Sequence, residues 1–158
     1  MRSGDVFRTL GSGADLRSVL DSFRARYGRG ASRQIARQFG VSQRTAQRAL
    51  KGDTKNPKFA ATDKFSGQRA ANALRDVHVA HAGRVSVKYT AEDRDEGDRN
   101  IGDRQFGPED LDEAVSWLEE GEWDKAGDAF DKALLNQYGG GTGQALTIDD
   151  YTEGLTFD

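Results

Sequence analysis

Residues 32–51, with the sequence SRQIARQFGVSQRTAQRALK, constrain the fold more than any other part of the chain. Their apolar side chains form two groups at helical spacing, one ending at Phe39 and the other at Leu50. Gly40 stands between the groups, where a chain that leaves a helix favours a positive φ. Ser42 follows as a natural N-cap for a second helix. The pattern predicts two short helices joined by a tight turn.

The second of these helices is predicted to have one polar face. If Ala46, Ala49 and Leu50 face inward, the side chains that follow Gln43 at helical spacing share the opposite side. Arginine can donate two hydrogen bonds to guanine, and glutamine can pair with adenine. No acidic residue lies between Asp21 and Asp53, so nothing in that run would repel a phosphate backbone. The residues predicted to contact DNA are Arg33, Ser42, Gln43, Arg44, Thr45, Gln47, Arg48, Lys51, Lys55 and Lys58.

This segment resembles the helix-turn-helix class of DNA-binding proteins. The resemblance is carried by the turn glycine, by the small Ala36 where the helices would cross, and by the acid-free face. It implies double-stranded DNA as the partner, with the second helix in a major groove. Because one short helix reads few base pairs, we also expect a homodimer. The alternative interpretation is an ordinary basic helical hairpin whose surface is only solvated.

Further basic residues flank the motif. Arg24, Arg26 and Arg29 precede it, and both phosphate contacts and plain surface solubility would explain them. The lysines in and after its last helix are a candidate phosphate clamp: Lys51, Lys55, Lys58 and Lys64.

Charge is distributed unevenly along the 158 residues. Residues 1–75 contain 16 Lys and Arg against 5 Asp and Glu, whereas residues 76–158 contain 7 against 21. Halves of opposite sign indicate a nucleic-acid-binding part and an acidic part for self-association or a protein partner. In the acidic part, Trp117 and Trp123 predict either core packing or a dimer contact.

The absence of cysteine excludes disulfides, thiolate metal sites and cysteine nucleophiles. No apolar run approaches the length of a membrane span, and the first residues do not form a signal peptide. We therefore expect a cytoplasmic protein without membrane contact, associated with the nucleoid or with a plasmid.

The periodicity of the apolar residues predicts the α+β class. Residues 1–13, which are rich in glycine and serine, are predicted to form a flexible arm. Residues 14–80 are predicted to form a three- to four-helix DNA-binding domain, in which helices at about 14–27 and 63–79 flank the motif. Residues 81–158 are predicted to form a small acidic α+β domain.

The acidic domain is predicted to contain a hairpin, two helices and a C-terminal strand. Residues 85–89 alternate between apolar and polar, as in a half-buried strand. Residues 91–100 are predicted to form a charged loop, and residues 100–106 a returning strand. Two helices separated by Gly121 follow. After a glycine loop at 139–143, a final strand is predicted to join the first one.

The residues that often carry chemistry do not predict an enzyme. His78 and His81 lie three positions apart, but no third metal ligand follows nearby. The acidic run around Asp93 lacks the spacing and the closing glutamate of an EF-hand. The glycines at 139–143 lack the lysine of a phosphate loop. We predict no catalytic residue, no cofactor and no metal.

The order of these features is similar to that in the telomere-protecting terminal proteins of linear bacterial plasmids and chromosomes, and in their relatives on circular mobile elements. The likeness is clearest at residues 35–58 and weaker at residues 134–157. It implies a role in replicon maintenance or in transcriptional control of a plasmid or other mobile element. As the alternative function, it implies priming of DNA replication from a hydroxyl side chain, which the likeness does not locate in this chain.

Overall fold

A computed structural model describes residues 1–13, 15–89, 95–138 and 146–158. The predicted glycine loop at 139–143 lies outside these residues, as does the first part of the predicted charged loop, including Asp93. The protein belongs to the α+β class, as predicted. In chain order its elements are α1 (Ser3–Gly11), α2 (Leu16–Tyr27), α3 (Ala31–Phe39), α4 (Gln43–Lys51), α5 (Asp63–Arg75), β1 (Val79–Tyr89), β2 (Asp95–Gln105), α6 (Asp112–Glu119), α7 (Trp123–Leu135), β3 (Leu146–Asp150) and β4 (Thr156–Phe157).

Helices α2, α3 and α4 surround one hydrophobic cluster, as the apolar spacing predicts. Four phenylalanines join these helices to the segment that leads into α5. The ring of Phe39 lies 5.8 Å from Phe23, 5.3 Å from Phe59 and 5.6 Å from Phe65, measured between centroids. Aromatic contacts at these separations add to the free energy gained from burying the rings. The cluster fixes α3 against its neighbours and so provides a base for α4.

The sheet has the strand order β2–β1–β3. The predicted final strand is confirmed, because β3 pairs antiparallel with the end of β1 and Val87 lies opposite Ile148. The short β4 pairs with the start of β1, where Ala80 lies opposite Phe157. The returning strand is also confirmed, but it begins at Asp95. The prediction of a loop up to residue 100 was therefore wrong from that point. An antiparallel sheet can keep one face in water, so its outward positions accept charged side chains.

The N-terminal residues also differ from the prediction of a flexible arm, since most of them form α1. Phe7 of α1 is fully buried and meets Phe130 edge to face, with 5.5 Å between the ring centroids. Gly4 brings the backbone of α1 close to α7, because a Cβ there would lie 3.1 Å from the carbonyl oxygen of Trp123. The glycine that suggested flexibility therefore permits close packing between two helices.

Helix α5 connects the two hydrophobic clusters of the protein. Phe65 at its start belongs to the cluster around α2, α3 and α4, whereas Leu74 near its end belongs to a second cluster with α1, α6, α7 and the sheet. Polar contacts join the same two regions: Gln38 Nε2 donates a 2.8 Å hydrogen bond to the carbonyl of Glu119, and Arg75 forms an ion pair with the Glu119 carboxylate. None of the helices in the described ranges is long and apolar enough to cross a membrane.

Candidate nucleic-acid interface

The turn between α3 and α4 has the geometry predicted from its residues. Gly40 has a φ of 64°, in the left-handed region that glycine adopts at little cost. The amide of Val41 donates to the carbonyl of Ala36 at 3.1 Å and closes the end of α3. Ser42 then caps α4, because its Oγ accepts a 3.1 Å hydrogen bond from the amide of Thr45. The backbone therefore turns sharply and starts a second helix at a defined residue.

Helix α4 presents one face to the core and the other to solvent. Ala46 and Ala49 are fully buried, and Leu50 is 9% exposed. The small side chains of the two alanines allow α4 to pack closely on α2 and α3. All residues predicted to contact DNA are exposed: Arg33, Ser42, Gln43, Arg44, Thr45, Gln47, Arg48, Lys51, Lys55 and Lys58.

The basic groups on this surface are not neutralised by carboxylates. Within the described ranges, none of the predicted DNA-contacting arginines and lysines forms an ion pair. Lys64, in contrast, lies 3.6 Å from Glu120 and is occupied by that pair. Within the candidate phosphate clamp, Lys64 is therefore the lysine whose charge a carboxylate partly offsets.

Three of the polar side chains also have structural partners. Gln43 Nε2 donates to Ser32 Oγ at 3.3 Å, which connects the start of α4 to the start of α3. The hydroxyls of Ser42 and Thr45 lie 2.9 Å apart within the helix cap. These contacts restrain the first turn of α4, the part that would enter a groove first.

A shallow depression of about 220 Å³ lies between the end of α2 and the outer side of α4. Its basic lining side chains are Arg24, Arg29 and Lys51, and Gln47 lies at its α4 side. The lining contains no acidic residue. Arg24 is directed to the backbone of α4, so Arg29 and Lys51 supply the positive charge here that suits a phosphate group of a DNA backbone.

The structure shows a contribution from α2 that the sequence did not predict. Arg17 donates to the carbonyls of Leu50 and Ala49 at 3.0 and 3.3 Å, and Arg24 also donates to the carbonyl of Leu50. Arg24 was predicted to be a phosphate contact or a solubilising residue, but it binds the end of α4. The signal available in the sequence was the seven-residue spacing of the two arginines, which places them on one side of α2.

The side chains singled out in the acidic half lie elsewhere. Trp123 is 5% exposed and packs in the second cluster, whereas Trp117 is half-buried with Lys125 Nζ 4.7 Å from its ring centroid. His81 lies between two carboxylates, 2.8 Å from Asp103 and 2.6 Å from Asp158. In the described part of the chain, no group of three metal-ligating side chains comes together.

Similarity to known proteins does not indicate a function for this surface. The chain matches no protein-family model, no curated protein and no solved structure. Three features of the chain itself therefore bear on function: a left-handed glycine turn, a capped second helix, and an exposed polar face that has no carboxylate partner in the described residues.

Proposed function

We propose that the protein binds double-stranded DNA sequence-specifically, with α4 in the major groove. The observation that supports this most is the division of α4 into two faces. One face carries the buried Ala46 and Ala49. The other exposes Arg44 and Arg48, which have no ion-pair partner among the described residues. Two guanidinium groups held outward on one rigid helix are matched to the base edges of a groove.

The chemistry of the exposed face divides between base reading and backbone binding. Gln43 and Arg44, in the first turn, are placed to read base edges, because the start of a recognition helix penetrates deepest. Lys51, Lys55 and Lys58 lie at the end of α4 and in the segment that follows, where they would bind phosphates. The excess of positive charge in residues 1–75 would attract the duplex from a distance.

We also propose that two copies act together on DNA. A single short helix reads few base pairs, and paired half-sites multiply specificity. The large apolar side chains that are exposed in the described ranges are Met1 and Tyr27, at 59% and 37%. They do not form an extended apolar surface, which favours association on adjacent half-sites over a preformed dimer. The biological setting would be replicon maintenance or transcriptional control of a plasmid or other mobile element.

The first experiment is selection of bound duplexes from a random-sequence library, followed by gel-shift titration of the selected site. Arg44→Ala and Arg48→Ala are each expected to weaken binding by about 1–3 kcal/mol, and to relax preference at the bases they contact. Arg84→Ala, at an exposed position in β1, is the matched control and is expected to bind as the wild type does.

The form of the selected site tests the proposed setting. A palindrome would support two copies on paired half-sites, whereas sequences that match replicon ends would favour the terminal-protein alternative. Unchanged affinity in both α4 variants would refute the placement of this helix in the groove.

A further inference from the structure

Two arginines of α2 reach across to the C-terminal end of α4. Arg17 binds the carbonyls of both Ala49 and Leu50 through its two terminal nitrogens, and Arg24 binds the Leu50 carbonyl as well. Asp21 lies between the arginines on α2, with Oδ1 3.8 Å from Arg17 and 3.9 Å from Arg24. This carboxylate helps to hold both guanidinium groups on the same side of α2.

The backbone alone satisfies only part of this helix end. Gly52 has a φ of 82°, and its amide donates to the carbonyl of Ala49 at 3.1 Å. The amide of Asp53 donates to the carbonyl of Arg48 at 3.0 Å. The carbonyl of Leu50 accepts its hydrogen bonds from the two arginine side chains. The last turn of α4 therefore depends on side chains from another helix, in addition to its glycine cap.

We infer that Arg17 and Arg24 are positioning residues for DNA reading and do not bind phosphate. The inference rests on the proposed function and assigns to α2 a part in it. Three hydrogen bonds from α2 reach the last carbonyls of α4, two from Arg17 and one from Arg24. They prevent α4 from rotating about its axis, so that Arg44 and Arg48 keep a constant direction.

Phosphate binding and helix positioning predict different salt dependence. Each phosphate contact that is lost lowers the slope of log K against log salt concentration by about 1. A residue that only orients α4 leaves this slope unchanged while affinity for the cognate site falls. Amide exchange in the last turn of α4, measured without DNA, reports the cap independently of any binding.

The test compares the double variant Arg17→Gln, Arg24→Gln with Arg26→Gln. Arg26 is an exposed residue of the same helix, its guanidinium lies 5.2 Å from the ring centroid of Tyr27, and in the described part of the chain it makes no hydrogen bond to α4. We expect the double variant to lose about tenfold in affinity for the selected site, with an unchanged salt slope and faster exchange in the last turn of α4. The control is expected to retain wild-type exchange and to lose less affinity.

A milder variant keeps the inference testable if the double variant does not fold. Arg17→Lys retains the charge but lacks the planar fork whose two separate nitrogens reach the two carbonyls. It is expected to lose affinity for the selected site with an unchanged salt slope, and full affinity would overturn the inference.

Two results would overturn the positioning role while leaving the proposed function intact. In the first, the slope falls by about 2 in the double variant while amide exchange stays the same, which would make both arginines phosphate ligands. In the second, the double variant binds the selected site as tightly as the wild type. If the wild type and the Arg26→Gln control both failed to bind duplex DNA, the proposed function itself would fail.

Discussion

The phenol of Tyr151 donates a 2.5 Å hydrogen bond to Oδ1 of Asp131 on α7. Burial raises the pKa of Asp131 to about 6 and raises the pKa of Tyr151 well above its ordinary value. The backbone amide of Tyr151 also donates to the carbonyl of Met1 at 2.8 Å. The Tyr151–Asp131 pair therefore joins α7, the N-terminus and the C-terminal segment. Ionisation of its buried carboxyl group is unfavourable.

Asp131→Asn is expected to stabilise the protein at neutral pH and to weaken the pH dependence of its stability. The wild-type carboxyl has a pKa near 3.8 when unfolded and about 6 when folded. The protonated carboxyl therefore contributes its full stabilisation of the folded state below pH 3.8. This stabilisation is lost as pH rises through 6. The cost of ionisation at pH 7.5 is on the order of 2–3 kcal/mol, and an amide still accepts the Tyr151 hydrogen bond.

Urea unfolding of both proteins at pH 4.5, 6 and 7.5 measures this difference. The asparagine variant is expected to gain stability relative to the wild type as pH rises through this range. Parallel stability curves for the two proteins would show that Asp131 titrates alike in the folded and unfolded states.

Gly67 of α5 lies directly against α6, because a Cβ there would lie 1.9 Å from the carbonyl oxygen of Leu118. Gly67→Ala is therefore expected to destabilise the protein by about 2–3 kcal/mol, because the backbones of α5 and α6 must move apart. Gly30→Ala is the matched control: its φ is −82° and no atom lies within 4 Å of the added carbon. Its free energy of unfolding is expected to change by less than about 1 kcal/mol. Equal stability of the two variants in denaturant titrations would contradict the close helix contact.

His81 connects the C-terminus to the sheet through Asp103 and Asp158. Hydrogen bonds to these two carboxylates raise the pKa of His81 above its usual value of 6.5, with Asp103 as the larger cause. The stabilisation is therefore present below pH 6.5 and is lost as pH rises through the raised pKa of the folded state. His81→Gln is expected to lower the melting temperature at pH 5.5 more than at pH 8.5.

His78→Gln is the control for that comparison, because the His78 side chain has no carboxylate partner among the described residues. A His81→Gln shift that does not change with pH would mean that the two carboxylates do not hold a protonated imidazole.

Local signals predicted the helices α3 and α4 and the turn between them, whereas long-range contacts were not visible in the sequence. Gly40, Ser42 and Gly52 act through their own backbone or through neighbours a few residues away, so sequence spacing is sufficient to place them. Helix α1 was missed because its packing depends on Gly4 meeting Trp123, more than 100 residues away. The glycine and serine content of residues 1–13 is equally compatible with an exposed arm.

In the candidate interface, too, some features follow from local sequence and others depend on tertiary contacts. Exposure of the α4 side chains followed from helical periodicity, because the buried alanines identify the opposite face. The arginine contacts at the end of α4 did not follow from it, since Arg17 and Leu50 meet only once α2 packs across the motif. Whether Lys64 is available for DNA also depended on tertiary structure, because Glu120 comes from α6–α7 and not from the motif.

The difference between Lys64, which has a carboxylate partner, and the lysines before it leads to a prediction about binding to the DNA backbone. Lys55 and Lys58 are exposed and, in the part of the chain that the structure describes, have no carboxylate partner, whereas Lys64 is paired with Glu120. Lys55→Ala and Lys58→Ala are each expected to weaken binding of specific and unrelated duplexes alike, and to lower the salt slope by about 1. Lys64→Ala is expected to leave the slope nearly unchanged, because its charge is already compensated. Titrations of both duplexes between 50 and roughly 200 mM salt separate the two behaviours. A fall in slope for Lys64→Ala equal to that for Lys55→Ala would show that DNA breaks the Lys64–Glu120 pair and takes this lysine into its backbone contacts.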